Sequence, residues 1–233
     1  MRYCVFATDY DGTLATNGLV EDAAIAALER LKQADCRRIL ATGRELNVLL
    51  DNFPRLDLFD LVVLENGGVL YRPESREEWP LAGPMPALFV EELRRRGVGP
   101  ISVGKTIVAT WEPHEQVVRE VIHDLKLNLH VLLNKRAIMI LSIGVNKATG
   151  LRAALDVLGL LPQEVVGVGD AENDQAFLAL CGYSVAVANA LPMLKENADL
   201  VTVGGHGAGV VELIDRLLAD DLAGPQTRRA GAG

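Results

Sequence analysis

Two carboxylates stand one residue apart in Asp9-Tyr10-Asp11-Gly12-Thr13-Leu14, where an apolar run stops. That run, Tyr3-Cys4-Val5-Phe6-Ala7-Thr8, is short and ends at a glycine turn, the pattern of a buried strand. Acids placed together at the end of a strand repel each other unless a cation or a proton stands between them. Two kinds of chemistry use such a pair: binding a hard metal ion through oxygen, and nucleophile and acid–base work side by side. Taken alone, the same residues also fit a turn with Asx-type hydrogen bonds.

Later segments repeat the sequence of apolar run, polar residue and glycine. Arg38-Ile39-Leu40-Ala41 leads into Thr42-Gly43-Arg44, and Val165-Val166-Gly167-Val168 leads into Gly169-Asp170-Ala171-Glu172-Asn173-Asp174. Between them Lys147 opens a helical pattern. Open parallel sheets bind ligands outside the carboxyl ends of their strands, so these segments can meet in one crevice. Each is ordinary by itself: Thr42-Gly43 is a turn, Lys147 a surface lysine, and Asp170 with Asp174 an acidic helix start.

The set Asp9-x-Asp11-Gly12-Thr13, Thr42-Gly43-Arg44, Lys147 and Gly169-Asp170-x-x-Asn173-Asp174 resembles, in order, the four motifs of the haloacid dehalogenase-like phosphatases. Glu65-Asn66-Gly67-Gly68 and Ala188-Asn189-Ala190, with Lys195 and Ala198-Asp199 downstream, are similar to elements of the type-IIB branch. That branch includes the Cof-like, sucrose-phosphate and archaeal phosphoglycolate phosphatases. The resemblance covers residues 1–218. It implies an α/β fold: a Rossmann-like parallel-sheet core, residues 1–81 and 143–218, with a small α+β cap over 82–142 inserted between the second and third motifs.

The same resemblance implies roles. Asp9 is the expected nucleophile, forming an aspartyl-phosphate, and Asp11 the acid that protonates the leaving alkoxide and then takes a proton from water. Thr42, Gly43, Arg44, Lys147 and Asn173 are expected at the phosphate. Asp9, Asp11 through its backbone carbonyl, Asp170 and Asp174 are expected around Mg²⁺, with Asp174 in the outer shell or on Lys147. Elementary electrostatics requires such roles. A phosphate monoester is close to a dianion, and each unit-charge pair at about 4 Å is worth roughly 4 kcal/mol at an effective dielectric of about 20. A carboxylate nucleophile therefore needs cations beside it. A phosphomutase would use the same acids, and a non-catalytic sugar-phosphate sensor would have little use for both.

The remaining elements must position these groups. The first third alternates strand and helix: a helix over 22–34, strand 38–41, a helix near 45–53 and strand 61–64. Alternation resumes from Lys147, with helices over 148–158, 173–180, 192–197 and 209–218 and strands over 165–168, 184–188 and 200–203. Such alternation implies right-handed crossovers and a parallel sheet. Residues 82–142 read differently, as helices over 86–96 and 115–125 and hairpin strands around 101–111, 129–133 and 137–141. With eight Lys/Arg against six Asp/Glu this segment carries +2, so the net −8 of the chain leaves −10 elsewhere. Lys105, Lys135 and Arg136, near hairpin tips, are candidates for a second anionic group of the substrate. Trp79 and Trp111 read as core of the inserted segment, and the tail from Ala219 reads as disordered.

Composition excludes more than it selects. A chain of 233 residues at 49% hydrophobic content can bury a sizeable core, and its net charge of −8 argues against a nucleic-acid or anionic-membrane surface. No apolar run approaches the roughly 18 residues of a membrane span. The amino terminus enters a strand at once, which points to a cytoplasmic protein without a signal peptide. Cys4, Cys36 and Cys181 lack metal-ligand spacing and read as reduced core thiols; the four histidines share no spacing either. Gly99-Pro100-Ile101-Ser102-Val103-Gly104-Lys105-Thr106 matches a nucleotide-binding P-loop literally. A helix pattern precedes it and β-branched residues follow, the reverse of what a P-loop needs, so Gly104-Lys105 reads as a hairpin turn. The expected partner is a small phosphorylated metabolite: phosphoglycolate, a hexose or pentose phosphate, or a phosphoglycerate-linked sugar. Oligomeric state is not set by the sequence.

Overall fold

The computed structural model describes residues 2–223. The chain opens with β1 (Val5–Asp9), α1 (Asp22–Gln33), β2 (Arg37–Ala41), α2 (Leu46–Asn52) and β3 (Leu61–Leu64). A meander of β4 (Val69–Arg72) and β5 (Glu77–Pro80) follows. Next come α3 (Ala87–Arg95), β6 (Ser102–Val103), β7 (Val108–Trp111), α4 (Glu115–Asp124), β8 (Leu129–Asn134) and β9 (Ala137–Ser142). The last third holds α5 (Lys147–Leu158), β10 (Val165–Gly169), α6 (Gln175–Leu180), β11 (Tyr183–Ala186), α7 (Pro192–Asn197), β12 (Leu200–Val201) and α8 (His206–Asp220).

One eight-stranded sheet has the order β12-β11-β10-β1-β2-β3-β4-β5. From β12 to β3 every pairing is parallel, and β1, β3, β10 and β11 are buried along their whole length. Burial on both faces is why these strands read as continuous apolar runs rather than alternating ones. Helix α1 packs with α8 and α5 with α6, so helices cover the sheet. The α/β fold with a parallel-dominated sheet is therefore present. The sequence reading missed β4 and β5, which pair antiparallel at its edge.

The chain leaves β1 toward β2 and β3, and later returns to the other side of β1 through β10. The strand order thus reverses beside β1, and crevices outside the carboxyl ends of strands open at such a reversal. Asp9, Thr42 and Asp170 all lie at those ends.

A second, wholly antiparallel sheet has the order β6-β7-β9-β8. Alternation divides its two faces. Val108, Ile138 and Ile140 pack under α3 and α4 with Phe89, Leu93, Val118 and Val121. Met139 and Leu141 point the other way, with Ile107. Trp79 does not belong to this sheet: it lies on β5, packed on the large core with the Arg72 guanidinium 5.2 Å from its ring centre. Trp111 is exposed at the end of β7. The expectation of two core tryptophans in the inserted segment fails because β5 joins the larger sheet and the second sheet fills its own core with aliphatic residues and Phe89.

The helix over 173–180 is shorter than expected, a 3₁₀ turn Glu172–Asp174 preceding α6, whereas α8 is longer on both ends. Its continuation through Asp220 corrects the tail reading at that point. Leu222 is buried, and the Asp221 carboxylate accepts hydrogen bonds from the backbone N–H groups of Arg2 and Tyr3. Residues 224–233, where the rest of the expected disorder falls, lie outside the described residues. Among the described residues no helix is long and apolar enough to cross a membrane. The three cysteines are free, and burial pushes the Cys36 thiol up to about 12.

Helix α5 begins sharply because Asn146 caps it. The Asn146 side-chain oxygen accepts from the N–H groups of Ala148 (2.9 Å) and Thr149 (3.1 Å), and the Thr149 hydroxyl accepts from the Asn146 N–H at 3.0 Å. The helix lies so close to β3 that a Cβ on Gly150 would stand 2.4 Å from Val63 Cγ1 and 2.6 Å from Gly67 Cα. Exchanging an exposed helical Gly for Ala ordinarily gains up to about 1 kcal/mol. Here the backbone of Gly67 cannot yield, so Gly150→Ala is expected to destabilise by about 1–3 kcal/mol, read as a lower urea midpoint at unchanged slope; a raised midpoint would contradict this packing.

Candidate active site

Strand register brings the motifs to one level. Asp9 pairs with Ala41, so Thr42 follows beside it; Thr8 pairs with Val168, so Gly169 and then Asp170 lie alongside on the other flank. Gly12 closes the loop after β1 over Asp170. It sits at φ +91, and a Cβ there would fall 2.4 Å from Asp170 Oδ2. The Gly12 carbonyl is held by Asn189 Nδ2 at 2.8 Å and contacted by His206 Nδ1 at 3.0 Å. The late Asn189 element therefore acts on the site through the loop that carries Asp11.

At the centre Lys147, the first residue of α5, is 1% exposed and inserted between two carboxylates. Its Nζ donates to Asp9 Oδ1 and, at 2.6 Å, to Asp174 Oδ1. A cation at a helix N-terminus opposes the helix dipole, and burial also works against its charge. Asp174 and Asp9 outweigh both and hold the ammonium above the ordinary lysine range. Asp9 is raised as well, which for an acid favours the neutral form: burial first, then the Asp174 charge, lift its carboxyl well above the usual range, with Lys147 opposing.

Asp174 spends its second oxygen on the backbone, accepting from the N–H groups of Asp170 (2.9 Å) and Ala171 (3.1 Å). Both its oxygens are engaged, so it shapes the Asp170 loop and orients Lys147. Asp170 Oδ1 accepts from the Thr13 hydroxyl at 3.1 Å. Burial raises the Asp170 carboxyl, with the ammonium of Lys135 opposing.

Asp11 and Arg44 form a two-pronged pair: Nε and Nη2 each reach a carboxylate oxygen at 2.7 Å. The Arg44 guanidinium also lies 5.0 Å from the Tyr10 ring centre. Arg44, expected at the phosphate, is thus placed on Asp11. Thr42 is buried, and its hydroxyl oxygen accepts from the Arg44 N–H at 3.1 Å, leaving its hydrogen for another acceptor. Asn173 donates through Nδ2 to Asn66 Oδ1 at 3.0 Å.

Asp9, Asp170 and Asp174 each offer a carboxylate oxygen within 4.8 Å of the others, and all three are buried. Among the described residues Asp9 Oδ2 has no hydrogen-bond partner. An unsatisfied buried carboxylate oxygen beside a second acid fits a hard divalent cation. Asp174 is committed to buried Lys147 and to two backbone N–H groups, so Asp9 and Asp170, one of whose oxygens is met only by a half-exposed lysine, are the side chains best placed to hold it.

The second sheet reaches the site at two places that motif reading did not assign. Lys135, in the turn between β8 and β9, sets its Nζ 2.9 Å from Asp170 Oδ2. Lys105 and Arg136, read with it, instead pair with Glu78 and Glu112. Glu65 is buried after β3 and accepts from the N–H groups of Lys105 (3.0 Å) and Thr106 (2.7 Å) and from the Thr106 hydroxyl (2.8 Å). The Lys105 and Thr106 amides of the P-loop-like stretch do bind an anion, the carboxylate of Glu65, from a hairpin turn between β6 and β7, while the Gly104 N–H closes that turn on the Ile107 carbonyl. A buried acid followed by Asn-Gly was the visible signal; its partner lay about forty residues away.

Lys147→Met keeps the volume of the side chain and leaves Asp9 and Asp174 facing each other without a cation. Breaking a buried ion pair from one side costs about 3–5 kcal/mol. The expected outcome is a loss of that size in urea unfolding, partly recovered by adding Asp174→Asn; strictly additive effects would mean the two side chains do not interact.

The profile of a haloacid dehalogenase-like hydrolase family matches residues 6–86 and 102–214. A phosphoglycolate phosphatase of Methanothermobacter thermautotrophicus is 30% identical over 220 residues, covering 91% of this chain and 97% of that protein. Among solved structures, a haloacid dehalogenase-like hydrolase from Bacteroides thetaiotaomicron superposes with a TM-score of 0.79 at 20% identity, over 92% of this chain and 99% of the other. A subclass IIB sugar phosphatase of the same superfamily gives 0.75 at 18% identity, over 91% and 98%. At those identities the structures speak for the fold alone. The profile match and the long alignment, together with the ordered motifs, decide the matter: the chain belongs to the haloacid dehalogenase-like hydrolase family.

Proposed function

We propose that the chain is a magnesium-dependent phosphatase that moves the phosphoryl group of a small phosphorylated metabolite onto Asp9 and then to water. One observation carries this reading: Oδ1 of Asp9 is pinned by a buried lysine while Oδ2 stands buried and unpartnered at the carboxyl end of β1. A purely structural aspartate would have both oxygens satisfied.

The family's metal fits the acids present. A Mg²⁺ held by Asp9, Asp170 and the Asp11 backbone carbonyl would neutralise phosphoryl charge and orient its oxygens. Lys147 orients Asp9, favours its anion against the burial that raises it, and offsets part of the repulsion between it and the substrate dianion. The Thr42 hydroxyl and the second Nδ2 hydrogen of Asn173 are available to phosphoryl oxygens. An oxygen of Asp9 attacks phosphorus, the ester P–O bond breaks, and the leaving alkoxide takes a proton from Asp11. Water then attacks the aspartyl-phosphate with Asp11 accepting its proton, which restores the Asp9 carboxylate and frees phosphate. Arg44 occupies both oxygens of Asp11, so it must loosen before Asp11 can carry a proton, and an arriving phosphate offers the guanidinium a second anion.

The second sheet, read as the cap, stands close over the site: a Cβ on Gly43 would meet the Met139 sulfur at 3.2 Å. That closeness favours a small substrate, and the name of the Methanothermobacter relative makes phosphoglycolate the first ester to try. The test is phosphate release from phosphoglycolate and a panel of hexose and pentose phosphates, with and without Mg²⁺. Magnesium-dependent release is expected, lowered at least about a thousandfold in Asp9→Asn and roughly 10²- to 10⁴-fold in Asp11→Asn. Release by Asp9→Asn at the wild-type rate would rule out the nucleophile. Absence of release from every ester would point to phosphotransfer or sensing instead.

A further inference from the structure

Two lysines serve the acidic cluster, and they are built differently. Lys147 is inaccessible and bound to two carboxylates. Lys135 arrives from the other sheet with its side chain 54% exposed, yet its Nζ lies 2.9 Å from an oxygen of Asp170, a residue whose side chain is only 1% exposed. The other Asp170 oxygen is occupied by the Thr13 hydroxyl, so Lys135 sits on the one that faces the site. The Lys135 backbone N–H is 3.4 Å from Glu172 Oε2, a long contact, and Arg136 next to it points away to Glu112. One charge-assisted hydrogen bond is thus the main tie between the β8–β9 turn and the Asp170 loop.

We propose that Lys135 is a tethered counter-ion which competes with the divalent cation for Asp170, so that metal loading releases the β8–β9 turn from the site. The inference rests on the metal part of the function proposed above. A divalent ion contacts carboxylate oxygens at about 2.1 Å, and a fixed ammonium on the same oxygen repels it. The exposed stem of Lys135 lets the ammonium withdraw into water without opening the core, which Lys147 cannot do. The position of the second sheet over the site is thereby coupled to the metal through one side chain, and the coupling acts in both directions.

The experiment is calorimetric titration of Mg²⁺ into the full chain, without substrate, for wild type, Lys135→Met and Lys135→Arg. Lys135→Met is expected to bind Mg²⁺ about five- to tenfold more tightly than wild type, within the usual range of such couplings; Lys135→Arg, which keeps the charge, should stay near wild type. In parallel, amide hydrogen exchange across residues 134–137 of wild type should quicken when Mg²⁺ is added. Equal Mg²⁺ affinity in wild type and Lys135→Met, or exchange unmoved by Mg²⁺ in wild type, overturns the competition while leaving the metal site standing. Failure of all three proteins to bind Mg²⁺ overturns the metal reading and the competition with it.

Discussion

A lysine ammonium buried between two aspartates is the constraint on which the site is organised. Lys147 is held charged there because Asp9 and Asp174 surround it, and its ammonium opposes the burial and like-charge repulsion that raise the Asp9 carboxyl. Removing charges from water is costly, and only good geometry with further hydrogen bonds offsets it. Those further bonds are visible: Asp174 gives its second oxygen to the N–H groups of Asp170 and Ala171, and Asn146 caps the helix that delivers the lysine. The price of this balance is one oxygen of Asp9 left without a partner, which is the atom the proposed chemistry needs.

Around that centre a second set of charges is held less firmly. Asp11 is paired with Arg44, and Asp170 with Lys135; both cations are partly exposed. Exposed pairs are worth little and can be exchanged, whereas buried ones cannot. The site thus separates groups that must never move from groups that can change partners when an anion or a cation arrives. The second sheet takes part in both regimes. Glu65 fastens its β6–β7 turn through three hydrogen bonds, two of them buried, while Lys135 touches from its β8–β9 turn through one half-exposed ion pair and a long backbone contact to Glu172.

Much of this was legible in the sequence. The strands that lead to Asp9 and Asp170 are buried along their whole length and the one that leads to Thr42 is buried from Arg38 on, so their runs ended sharply at the polar residue. The 3.6-residue pattern marked the helices to within a few positions, and the wrong flanks of Gly104-Lys105-Thr106 removed the P-loop. β5 escaped because Glu77–Pro80 is a half-exposed edge strand, where apolar periodicity fades and Trp79 reads equally well as core of either sheet; in β4 only Val69, Leu70 and Tyr71 are buried, too short an apolar run to mark a strand. The extension of α8 past Leu218 was hidden for a similar reason: Ala219 and Asp220 have no apolar signal, and the chain end is held by Asp221 contacts to residues at the other terminus.

What the sequence by itself determined was the set of candidate groups and the sheet that lines them up, because motif spacing and buried strands are local properties. Only the tertiary structure decided the partners: Arg44 on Asp11, Glu65 on the amides of Lys105 and Thr106, Asn189 on the Gly12 carbonyl, and Lys135 on Asp170. Each joins residues separated by about thirty to nearly two hundred positions. The first and third depend on how loops of the large sheet meet and the other two on how the two sheets come together, and a charge has no periodicity from which its counter-charge could be read.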